Sequence, residues 1–134
     1  MLKLLLVFLG GGLGSLSRHG IGLAVARVIP ATHDHPRWGS IHLAGTLAAN
    51  VLGCLLIGLA WGRLGIAMRE ETRLLLITGF LGGFTTFSAI GWETLNLVGR
   101  GRPLGAAAYV AATLALGFAA VWLGHTLGKD LAAG

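Results

Sequence analysis

Charge is what this sequence has least of. Lysine, arginine, aspartate and glutamate make up 11% of its 134 residues, about half the share of a soluble domain. With 54% hydrophobic residues and a mean hydropathy of +0.79, the chain cannot present a polar surface all round. Lipid must therefore be part of its solvent. A single cysteine, Cys54, excludes an intrachain disulfide, and its place in an apolar run suits an inert packing thiol. The first apolar stretch holds no acidic residue, which argues against a proton-coupled multidrug exporter of the small four-helix kind. No Ser/His or paired-carboxylate constellation falls at a common depth, so nothing points to an enzyme. Nor does the net charge of +5 point to nucleic acid, because the cations are scattered singly near segment ends.

What fills the chain instead is four apolar stretches, at about residues 2–29, 40–62, 73–98 and 104–128, with short connections. Each is long enough to cross a bilayer. The expected architecture is an all-α integral membrane protein, four transmembrane helices in a single domain over residues 1–134. The first stretch opens like a signal peptide, with Lys3 before an apolar run. Its apolar character continues well past a signal's core and reads as a retained helix. Arg18 lies more than halfway along it, where a cation either lines an aqueous vestibule or caps a neighbouring helix's carbonyls. His33-Asp34-His35, in the proline-bounded first connection, offers two metal ligands and no third. Arg63, Arg69, Glu70, Glu71 and Arg73 read as solvated charges of the second connection, and the residues from Lys129-Asp130 onward as a disordered tail.

The third stretch is the most informative. Gly79-Phe80-Leu81-Gly82-Gly83-Phe84-Thr85-Thr86-Phe87-Ser88 puts three glycines, two threonines and a serine within ten residues. Such a run is a poor helix interior: glycine costs backbone entropy, and hydroxyls compete for backbone hydrogen bonds. It predicts a break near residues 82–86 at mid-depth, where freed N–H and C=O groups must face protein, water or an ion. At Gly83 a β-branched residue should be excluded by the backbone conformation of that break. In the second stretch Thr46 and Asn50 are four apart and share a helix face. A buried amide at mid-bilayer is costly unless partnered. Asn50 therefore either bonds another helix or faces a permeating anion.

Four spans put both termini and the middle connection on one side of the membrane. That side carries five cations (Lys3, Arg63, Arg69, Arg73, Lys129) and the other four (Arg27, Arg37, Arg100, Arg102), leaving out Arg18. With so small a bias, the positive-inside rule chooses no orientation. A chain inserting both ways up can form an antiparallel dimer about an axis in the membrane plane. Four helices of one copy enclose little space for a pathway, which also favours a dimer.

Gly11-Gly12-Leu13-Gly14-Ser15-Leu16-Ser17-Arg18, Gly45-Thr46-Leu47-Ala48-Ala49-Asn50 and the run from Gly79 to Ser88 occur in this order. Over nearly the whole chain the pattern resembles the Fluc (CrcB-type) fluoride channels of bacteria. The resemblance implies a multi-pass protein of the bacterial inner membrane, a dual-topology homodimer with two antiparallel pores that exports fluoride passively. It implies pore positions at Asn50 and Phe87, with Ile90 standing where the family has a second pore phenylalanine. It also implies a polar track through Tyr109, Thr113 and Gly117. A structural sodium ion would be held by main-chain oxygens of Gly82 and Thr85, supplied by both copies.

Physical chemistry is consistent with those implications. Fluoride is small and strongly hydrated, so a pore must replace water's hydrogen bonds, yet basic side chains throughout would hold the ion too tightly. Neutral donors suit better: the Asn50 amide and the hydroxyls of Thr46, Ser88, Tyr109 and Thr113. The positive edge of the Phe87 ring can also meet an anion, and an aliphatic Ile90 offers no such edge. The small proton-coupled exporter remains the alternative, with Glu93, the one acid inside a span, as the group it would have to use.

Overall fold

A computed structural model describes residues 1–28 and 40–133, apart from the side chains of residues 40–42 and 66. The His33-Asp34-His35 segment lies outside the described residues. Every described element is helical. Helices α1 (Leu2–Val28) and α2 (Ser40–Leu64) are continuous. The tight turn Gly65–Ala67 follows, entered through Gly65 at φ 47°, a left-handed conformation that favours glycine. Helix α3 (residues 70–84) is wound wide over Arg73–Leu81, with N–H groups reaching back five residues. After two extended residues comes α4 (Phe87–Gly99), and Gly101, at φ 72°, turns the chain into α5 (Pro103–Ala133).

Leu2–Val28, Leu43–Leu64, Glu70–Gly99 and Pro103–Ala133 are each long and apolar enough to span a membrane. Their outward faces suit hydrocarbon: Phe8, Leu16 and Trp122 are 76%, 70% and 70% exposed. Lys3 Nζ lies 2.7 Å from Glu70 Oε1, and Arg63 Nη1 donates to Leu131 O at 2.6 Å. With the short turn after α2, these bonds gather the start of α1, the end of α2, the start of α3 and the end of α5 at one end of the bundle. The sequence suggested a loose tail after Gly128. Instead α5 continues through Lys129 and Asp130 to Ala133, because Arg63 satisfies a carbonyl of its last turn.

In lipid, helices associate through close backbone approach over small residues rather than by hydrophobic burial. Two seams of this kind hold the bundle. Along the α2–α5 seam, a Cβ on Gly58 would lie 2.2 Å from Val121 O, and one on Gly124 2.2 Å from Leu55 O. Along the α1–α3 seam, a Cβ on Gly14 would lie 2.0 Å from Phe80 O, and one on Gly83 2.3 Å from Gly11 O. Gly83 itself is helical and its φ is not positive. Its intolerance of a side chain therefore has a different cause from the one the sequence suggested: the backbone of α1 presses against it. Gly83→Val should lower the stability of the purified protein by about 1–3 kcal/mol or more, the cost of overpacking. Gly20→Ala, with nothing within 4 Å of the added atom, should not lower the melting temperature. A Gly83→Val protein that melts like wild type would refute the close-seam account.

Candidate functional site

Helical geometry ends at Phe84. Thr85 (φ −90°, ψ 156°) and Thr86 (φ −152°, ψ 122°) are extended, and α4 starts at Phe87. The side chain that holds this junction comes from α2. Asn50, 7% exposed, bonds both backbone groups of Thr86. Thr86 N–H donates to Asn50 Oδ1 at 2.8 Å, and Asn50 Nδ2 donates to Thr86 O at 3.1 Å. Thr86 also caps α4, its Oγ1 accepting Ala89 N–H at 3.2 Å, with Ser88 Oγ 3.1 Å from the same oxygen. The N–H and the hydroxyl of Thr85 both donate to Leu81 O, each at 2.9 Å.

One turn away on α2, Thr46 Oγ1 donates to Glu93 Oε1 at 2.7 Å, and the Tyr109 hydroxyl donates to the other oxygen of that carboxyl. Glu93 is 9% exposed. A carboxyl is tolerated at such depth only when its oxygens are hydrogen-bonded, and here both are. Thr113 Oγ1 donates to Tyr109 O at 2.8 Å, which ties that hydroxyl to its own helix. Thr46 and Asn50 thus fasten α2 to the middle and the start of α4, and Tyr109 adds α5 to the cluster at Glu93.

Between α2, the junction and α5 lies a cleft of about 310 Å³. Asn50, Thr85, Thr86, Phe87, Ile90 and Thr113 line it, with Cys54, Gly117 and Phe118 further along and, among the described residues, no charged one in the wall. Of the residues the sequence pointed to, Asn50, Thr85, Phe87, Ile90 and Thr113 share this surface. Thr46 and Tyr109 meet at Glu93 instead. Ser88 is exposed and bonded to Thr86, Gly82 is exposed, and Arg18, half-buried on α1, forms no ion pair among the described residues. Phe87 stands at the rim, 79% exposed, while Ile90 is 9% exposed.

Thr86 is a residue to which sequence reasoning gave no role, and Glu93 one that it read only as the single acid inside a span. Thr86 carried a readable signal, since a threonine just before a resumed apolar run is a helix N-cap cue. The partners of Glu93 were not readable, because they lie 47 and 16 positions away in the chain.

Four apolar spans around a small set of buried, hydrogen-bonded polar groups define a multi-pass helical membrane protein. The family is narrower: the chain belongs to the CrcB-like proteins (Camphor Resistance, CrcB), whose pattern matches residues 5–125. It is 42% identical over 131 residues to the fluoride-specific ion channel FluC of Nitratidesulfovibrio vulgaris, covering 96% of this chain and 98% of that one. It is 41% identical over 130 residues to the FluC of Solibacter usitatus, covering 96% and 99% of the two chains. With the FluC of Acidobacterium capsulatum it shares 40% identity over 134 residues, covering 98% and 100%. The family resemblance first seen in the three motifs is borne out over the whole chain. These relatives are ion channels and not enzymes.

Proposed function

We propose that this chain is a fluoride-selective channel through which cytoplasmic fluoride leaves a bacterial cell passively across its inner membrane. The observation that carries the reading is the 40–42% identity, over nearly the full length, to proteins named fluoride-specific ion channels. The chemistry of the cleft suits it. Asn50 has a second amide N–H beyond the one given to Thr86 O. The Thr86 and Ser88 hydroxyls share one hydrogen bond, which leaves one of their two protons for a ligand. The exposed ring of Phe87 adds a positive edge. Arg18, on α1, is the cation that would line an aqueous vestibule, and Thr46, Tyr109 and Thr113 extend the polar line along α2 and α5. A wall of weak neutral sites lets a small anion enter and leave.

The working unit is an antiparallel homodimer with two pores. Phe87 and Phe118, 79% and 74% exposed beside the cleft, leave it open along one side in a single copy. A central sodium ion is held by the main-chain oxygens of Gly82 and Thr85 from both copies, and the junction fits that role. In an unbroken helix the Gly82 carbonyl would accept Thr86 N–H, and the Thr85 carbonyl Ala89 N–H. Both donors go to side-chain oxygens instead. Neutral carbonyl oxygens at a helix junction suit a hard cation. When bound, the ion supplies fixed positive charge near the anion path without a titratable group.

Liposomes carrying the purified protein should release trapped fluoride once counter-ion flow is allowed, and should retain chloride. Equal release of both halides, or of neither, would remove the fluoride reading. Terminal tags mapped in the membrane of intact cells should be accessible from both sides, and one-sided termini would eliminate the antiparallel pair.

A further inference from the structure

We infer that Asn50 and Thr86 are the positioning residues of the cation site, holding its two carbonyls open, an inference that rests on the reading of Gly82 and Thr85 as sodium ligands. The two carbonyls are three residues apart, and so are the two N–H groups that would close on them in a continuous helix. Each of those N–H groups meets a side-chain oxygen instead, Thr86 N–H at Asn50 Oδ1 and Ala89 N–H at Thr86 Oγ1.

Asn50 does more than remove a donor. The Thr85 carbonyl and the Thr86 N–H belong to one peptide plane, and no peptide bond in the described chain is cis. In a trans peptide the C=O and N–H point in opposite directions. By drawing Thr86 N–H towards α2, Asn50 turns the Thr85 carbonyl away from α2. The second bond, from Asn50 Nδ2 to Thr86 O, fixes the next plane as well, so Thr86 is gripped from both sides. Thr86 in turn caps α4 and keeps that helix from extending backward to claim the Thr85 carbonyl.

The alternative packing is close at hand. Without the Asn50 oxygen, Thr86 N–H would be a buried donor with no acceptor, which backbone groups avoid. Rejoining Gly82 O relieves it by closing the helix, and the closed helix uses both carbonyls at once. The anion path and the cation site are therefore built on one amide: its oxygen shapes the cation cage, and its free N–H faces the cleft.

The test is thermal unfolding of the purified full chain, followed by tryptophan fluorescence, with sodium titrated against potassium at constant ionic strength. Wild type and Thr86→Ser, which keeps the capping oxygen, should show a saturable, sodium-specific rise in Tm. Thr86→Val and Asn50→Leu should need at least about tenfold more sodium for half the effect, a loss of about 1.4 kcal/mol in binding. If they melt lower in both salts but keep the wild-type half-saturating concentration, Asn50 and Thr86 only pack helices, and the inference is overturned. Should Asn50→Leu fail to fold, the Thr86→Val and Thr86→Ser pair decides alone. No sodium-specific rise in wild type would overturn the cation reading and this inference together. The halide release assay would still stand as the separate test of the channel.

Discussion

Asn50→Asp should cut fluoride release from liposomes to about one-hundredth of the wild-type rate. The substitution preserves side-chain size and the oxygen that accepts Thr86 N–H, so the junction should survive. Two things change. The donor to Thr86 O is lost, and two acceptors then face each other across the 3.1 Å gap it now bridges. A negative charge also stands in the wall of a cleft that has none among the described residues. At a separation of roughly 6 Å and an effective dielectric of about 20, repulsion between two unit charges is about 3 kcal/mol, or a hundredfold in occupancy. Initial fluoride efflux, with the dimer verified by size and melting, measures this. A wild-type rate in the variant would confine Asn50 to helix packing.

Phe87→Ile should slow fluoride by up to about tenfold, since an edge contact of this kind contributes roughly 0.5–1.5 kcal/mol. The loss should be felt fully here because Ile90 beneath it supplies no second edge. Ile90→Phe places a ring at a 9% exposed position, but one that borders a cleft of about 310 Å³, so the added volume has somewhere to go. On the Phe87→Ile background it should restore part of the lost rate, with the fold unchanged. The readout is efflux for both single variants and the double swap. If Phe87→Ile conducts like wild type, ring edges do not carry the anion, and Asn50 with the hydroxyls must suffice.

The four spans were legible because hydropathy alone decides them, and the family because three motifs fall in order along the chain. Pairing was not legible. Asn50 announced itself as a costly polar group at mid-depth. That its target is the backbone of Thr86, 36 positions on, depends on how α2 leans against the α3–α4 junction. Gly83 was flagged for the right substitution and the wrong reason, because no local pattern reveals that another helix's backbone lies within 2.3 Å of where its Cβ would be. The tail after Gly128 looked loose from composition, yet it continues the last helix and is tied to Arg63. In each case the missing information is a contact between distant segments.

The two glycine seams also set the order of assembly. They join α1 to α3 and α2 to α5, skipping the neighbour in sequence each time. A ribosome delivers spans one at a time, so the α1–α3 seam waits for the third span and the α2–α5 seam for the last. Helices α1 and α2 must therefore each be greasy enough to reside in lipid before those seams form, which limits how many polar groups either of them can carry. Asn50 enters the membrane before Thr86 does. Truncation before α5 would strand α2 with an unpartnered glycine face, and the finished bundle locks only when the final span arrives.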